Sequence, residues 1–149
     1  MALNDHVRQL QQIPLFGALN AEALRLIAFS ADTKILHAGD VLFRQGDAAE
    51  AGFLVLSGRL NFTREGNDDT QHAGAGALVG EMAMIAPTQR PATATATEIT
   101  GVLIISRNLF MRVLGEYPDC AIQVRRDLAA TIARQANAFE TFREQFLPT

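Results

Sequence analysis

GEMAMIAPTQRPAT, residues 80–93, is the stretch on which the reading of this chain turns. AGAGALV leads into it, so glycines and small apolar residues precede a single carboxylate, Glu81. Ordinary residues separate that acid from a lone Arg90, and PATATATEIT then alternates like a strand. Two readings are open: surface charges flanking a loop, or opposite halves of one polar pocket. The pocket reading has a physical basis. If Gly80 ends a strand and Glu81 to Ile85 make one helical turn, the free backbone N–H groups at the start of that turn form a seat for an anion. Arg90 adds a fixed positive charge and a planar fork of donors. Glu81 would repel a phosphate but accepts well from hydroxyls, so a phosphate diester beside a sugar hydroxyl satisfies both groups.

On either side of this stretch, TKIL, VLF, FLVL, RLNFTR, ALV, ATATAT and GVLIIS are short runs rich in β-branched or apolar residues. Turn signals separate them: HAGD, RQGDAAEAG, Ser57-Gly58 and EGNDD. Many short strands at close spacing predict an antiparallel β-roll or jelly roll within an α+β, mostly β, chain. In ATATAT the small residues fall on one face and the threonines on the other, which suits a strand whose inner face must leave room.

Helices bracket the roll. Residues 3–12 predict a short polar helix, IPLFGAL a turn anchored by Leu15 and Phe16, and Asn20 an N-cap for AEALRLIAF. After Ser106, RNLFMRVLGEY carries Leu109, Phe110, Val113 and Leu114 at helical spacing. Pro118 is placed as the first residue of a longer helix, where its missing N–H costs nothing. Val124, Leu128, Ile132, Phe139, Phe142 and Phe146 trace a stripe along that helix, and its far end extends past what a small barrel can cover. The expected plan is one domain over 1–149: leading helices in 1–32, the roll in 33–106, and two final helices in 107–149.

The totals exclude several classes. At 149 residues and 48% hydrophobic, the chain can bury one core, and a net charge of −3 provides no global field for nucleic acid or anionic membrane. Cys120 is the one cysteine, so no intramolecular disulfide forms. No apolar run approaches the ~18 residues of a membrane span and no signal peptide is visible, which predicts a cytoplasmic setting. His6, His37 and His72 fall in helix, turn and loop, without the spacing that puts two imidazoles on one metal. No nucleophile motif or phosphate loop occurs. An enzyme is not expected.

Taken together, these residues resemble the cyclic nucleotide-binding domains. The phosphate-binding cassette of that family looks like G-E-hydrophobic-A, a short loop, then R-x-A-[TS]. Here it reads Gly80-Glu81-Met82-Ala83 and Arg90-Pro91-Ala92-Thr93. IPLFGALNAEALRLIA is similar to the family's leading helices, HAGDVLFRQGDAAEAGFLVLSGRL to its first strands, and the last two helices to its hinge and lid. The resemblance implies that Glu81 accepts from a ribose 2′-hydroxyl and Arg90 pairs with the cyclic phosphate. It also implies that the N–H groups of Ala83 and Ala92 complete the phosphate's ligation. Val79, Gly80, Met82, Pro91 and Thr93 fall in the same cassette, and Gln135, or else Arg134, lies where the lid approaches the purine. Relatives that prefer cGMP often carry threonine at the position of Pro91, so cAMP is the expected ligand and cGMP is disfavoured.

The expected function is a stand-alone cyclic nucleotide sensor in which binding draws the hinge helix (107–116) and lid helix (118 to about 143) onto the roll. The alternative is a nucleotide-free structural or protein-interaction module working through its last helix. A homodimer or an effector protein could use that helix. The chain ends at FREQFLPT with no helix-turn-helix after the lid, so direct DNA binding is not expected, and its starting methionine points to a complete protein.

Overall fold

Short strands with one apolar face, joined by glycine turns, bury that face by wrapping into two facing sheets. The computed structural model, which describes residues 2–127, 129, 130 and 133, shows this arrangement. Expectations placed on Leu128, Ile132, Arg134, Gln135, Phe139, Phe142 and Phe146 lie outside the described residues.

Helix α1 (Ala2–Gln11) is followed by a 3-10 turn (Pro14–Ala18) that buries Leu15 and Phe16. Helix α2 (Ala21–Ser30) starts at Asn20, whose side chain accepts from the N–H of Ala23 at 2.8 Å. The roll contains β1 (Asp32–Leu36), β2 (Val41–Phe43), β3 (Ala48–Ala49), β4 (Ala51–Ser57) and β5 (Arg59–Arg64). It continues with β6 (Asn67–Gly74), β7 (Leu78–Val79), β8 (Thr88–Gln89), β9 (Thr93–Ala96) and β10 (Thr100–Ser106). One sheet runs β1-β10-β4-β7, the other β2-β9-β5-β6, and β3 pairs with β8 at the rim. Every pairing is antiparallel. Ser106 then caps α3 (Arg107–Glu116) by accepting from the N–H of Leu109 at 3.1 Å. A further helix, α4, occupies 118–127 and begins at Pro118 as its sequence predicts.

The main core lies between the first sheet and the helices. Leu54, Leu103 and Ile105 meet Leu24, Ile27, Phe110 and Val113, with Phe16 and Phe110 at a ring separation of 6.0 Å. Each such side chain contributes roughly 1.5–3 kcal/mol of burial. Inside the roll, Leu36, Val55 and Leu60 form a second cluster, to which β9 contributes small residues. Ala94 and Ala96 sit opposite Phe62 and Leu60 and are fully buried, while Thr93 and Thr95 lie on the other face. The division predicted from ATATAT is therefore present.

Two sequence expectations need correction. NDDTQHAG forms the edge strand β6, so His72 lies in a strand rather than a loop. The turn between β5 and β6 is only Glu65-Gly66, because Arg64 already pairs with Asn67. Among the described residues, no helix is long and apolar enough to cross a membrane, and no cluster of His, Cys, Asp or Glu could hold a metal ion.

Candidate phosphate-binding cassette

The cassette is held by its two ends. At the first end, Val79 pairs with Phe53 on β4 and Gly80 takes φ 74° and ψ 34°, turning the chain out of β7. That left-handed conformation is cheap only for glycine. A one-turn 3-10 helix (Glu81–Met84) comes next, anchored by Met84, which is wholly buried in the helical core. Gly52 lies directly beneath it, and a Cβ there would stand 2.8 Å from the Met84 sulfur. At the other end, the N–H of Arg90 donates to Asp47 O at 2.8 Å, and the N–H of Gly46 donates to Arg90 O at 2.8 Å. These bonds clamp the Arg90 backbone to the β2–β3 loop.

From that clamp the Arg90 side chain runs inward and is only 6% exposed. Its Nη2 donates to Ala51 O at 2.8 Å, and its Cζ lies 4.4 Å from the Phe43 ring centre and 5.2 Å from that of Phe53. Nη1 sits 2.5 Å from where a Cβ on Gly80 would be. The arginine therefore crosses the loop to the acid's side. Burial lowers its pKa from the ordinary arginine value, and Asp47 partly offsets the shift. Neither Arg90 nor Glu81 makes an ion pair among the described residues, so the two charges do not neutralise each other.

The expected site residues of the cassette each have a definite place. Glu81 and Met82 are half-buried, and neither N–H has an acceptor among the turn and loop hydrogen bonds. Ala83 departs from expectation, because its N–H donates to Gly80 O at 3.0 Å. The 3-10 turn closes one residue earlier than an α-helical turn would, which moves the free donors to Glu81 and Met82. Ala92 is buried with its N–H unspent, Pro91 is exposed, and Val79 is half-buried. The Thr93 hydroxyl accepts from the N–H of Gln45 at 2.9 Å. Gln135 lies outside the described residues.

Sequence reasoning missed Phe43, Phe53, the Ala51 carbonyl and Arg107. VLF and FLVL read simply as strands, and only the pairing of the two sheets brings both rings to Arg90. Arg107 links the cassette to α3: its Nη1 donates to Ala83 O at 3.2 Å and Ala49 O at 3.3 Å, and its backbone N–H to Glu50 O at 2.8 Å.

The model of the cyclic nucleotide-binding domain family matches residues 33–117, from β1 through α3. The chain belongs to this family. Among solved structures, a cyclic nucleotide-binding-like protein from Brucella abortus shares 38% identity, with a TM-score of 0.69, over 74% of this chain and 98% of that one. The N-terminal domain of a transcriptional regulator from Streptomyces coelicolor aligns at TM-score 0.78 and 27% identity, over 88% of this chain and 94% of its own. Among curated proteins, lysophospholipase nte1 of Aspergillus terreus is 36% identical over 107 residues, or 69% of this chain. This cyclic nucleotide-binding domain spans 7% of that relative's length. The expected β-roll is the fold observed, and a cyclic nucleotide is the ligand class that membership implies.

Proposed function

We propose that this domain is a regulatory, non-catalytic sensor that binds cAMP in preference to cGMP through Glu81 and Arg90. The observation that carries the reading is a buried guanidinium with no carboxylate partner among the described residues, beside a turn whose first two N–H groups, those of Glu81 and Met82, are unspent. Removing the counter-charge from a buried ion costs about 3–5 kcal/mol. An anionic ligand supplies that counter-charge. In this reading Arg90 and the N–H groups of Glu81, Met82 and Ala92 hold the cyclic phosphate, and the Glu81 carboxylate accepts from the ribose 2′-hydroxyl. Val79, Gly80, Ala83 and Thr93 shape the cassette around them. Pro91 offers neither a hydroxyl nor an N–H, which is the ground for placing cAMP first.

The Arg107 bridge supports a coupling between ligand and the C-terminal helices, because one side chain touches both the cassette turn and the start of α3. Binding shifts α3 and α4 only by its differential affinity for the two arrangements.

Thermal unfolding tests the assignment. A ligand at a hundred times its Kd adds roughly 2.7 kcal/mol, or about 5–10 °C for a chain of this size. cAMP should give that gain at lower concentration than cGMP. If neither raises the melting temperature, the interaction-module alternative replaces the sensor.

Gly80→Ala probes the cassette itself. The new Cβ forces Arg90 Nη1 away and strains a residue at φ 74°. The expected result is a stability loss of about 1–2 kcal/mol with at least about tenfold weaker cAMP binding. Calorimetric affinity within twofold of wild type would show that the guanidinium's position at Gly80 is unimportant.

A further inference from the structure

A buried arginine is ordinarily held by a carboxylate, and among the described residues none pairs with Arg90. Asp47 is the acid that acts on it, yet Asp47 is exposed and its Oδ2 is occupied by the N–H of Arg44 at 3.0 Å. The groups packed against the guanidinium are instead aromatic. Phe43 ends β2 in one sheet and Phe53 lies within β4 of the other. Their rings are 5.8 Å apart and inclined by 29°, with the guanidinium 4.4 and 5.2 Å from their centres.

We propose that Phe43 and Phe53 are positioning residues of the ligand site, an aromatic shelf that stands in for a counter-ion and keeps Arg90 charged, oriented and available. The proposal rests on the cyclic nucleotide reading of this cassette and adds to it how the arginine is kept ready. Ring faces carry negative potential and stabilise a cation without forming hydrogen bonds to it. The guanidinium's donors lie in its plane, and stacking leaves them free. Ala51 O takes one of them. A phosphate diester arriving at the remaining edge has no carboxylate of the described residues to displace. A carboxylate in place of the shelf would compete with the ligand for the same donors. An aliphatic shelf would leave the guanidinium free to turn toward Asp47 or Glu81, and binding would then have to reorganise it.

Two measurements test this. In the ligand-free protein, the Arg90 Nε–H resonance should be shifted upfield by the ring currents, retained in Phe43→Tyr and lost in Phe43→Leu. By calorimetry with cAMP, Phe43→Leu should bind about 10- to 30-fold more weakly, while Phe43→Tyr stays within about threefold of wild type. A wild-type protein without the upfield resonance, or a Phe43→Leu variant binding within twofold of wild type, overturns the shelf. If the resonance is present but wild type binds neither cAMP nor cGMP, the sensor assignment fails while the shelf's grip on Arg90 stands. The wild-type resonance decides the point even if Phe43→Leu does not fold.

Discussion

Arg90→Ala is expected to weaken cAMP binding by at least about 100-fold while leaving the ligand-free protein close to wild type in melting temperature. The first half follows from desolvation. A hydrogen-bonded charge pair formed out of water loses about 2–5 kcal/mol when one partner is truncated, and the 6% exposure of Arg90 puts it in that class. The second half follows from the absence of an ion pair at Arg90 among the described residues. The alanine variant forfeits stacking worth about 0.5–2 kcal/mol and one hydrogen bond to Ala51 O. It also removes a cation whose burial lowers its own pKa. These contributions oppose each other. The measurement is a pair of melting curves, with and without cAMP, beside calorimetric titration. A variant that still gains the wild-type increment with cAMP removes Arg90 from binding. One that collapses without ligand means Arg90 is a structural strut instead.

The cassette was legible because its chemistry is carried by residues adjacent in sequence. Gly80, Glu81 and the Ala83 that closes the turn are near neighbours, and Arg90 stands just before the alternating run that becomes β9. The features hidden from the sequence depend on the crossing of the two sheets. Nothing local in VLF or FLVL says that Phe43 and Phe53 converge, because they belong to strands of different sheets. β6 was hidden for a different reason. NDDTQHAG has no apolar alternation, and it pairs with Arg59–Arg64 across the short Glu65-Gly66 turn. Where the Ala83 N–H goes is not legible in the sequence, because a short turn can close as 3-10 or α and the residues do not distinguish them. The β4 and β10 strands are plain in the sequence because FLVL and GVLII are continuous apolar runs, and both strands are largely buried.

The sharpest of those turns gives the largest expected loss of stability. Gly58→Ala should cost at least about 4 kcal/mol, enough to leave the domain substantially unfolded at physiological temperature. Gly58 is the one residue between β4 in the first sheet and β5 in the second, and φ 83° lets the chain change sheets there. An alanine Cβ would collide with Ile99 O and Thr100 Oγ1 and lie 2.6 Å from Thr100 Cα. Two of those contacts are backbone and cannot swing aside. Thr100 is wholly buried, and its hydroxyl accepts from the N–H of Arg59 at 3.0 Å while lying 2.9 Å from Glu98 O, so displacing it breaks a buried network. Gly39→Ala is the control. Its φ of 92° is as unfavourable, but nothing lies within 4 Å of the added Cβ, so only the left-handed strain of about 1–2 kcal/mol remains. Denaturant unfolding of the two variants should separate them by at least about 2 kcal/mol. Equal losses would mean that the backbone conformation alone accounts for Gly58. Because β4 also carries Phe53 and the Ala51 carbonyl, the same substitution should abolish cAMP binding at temperatures where Gly39→Ala still binds like wild type.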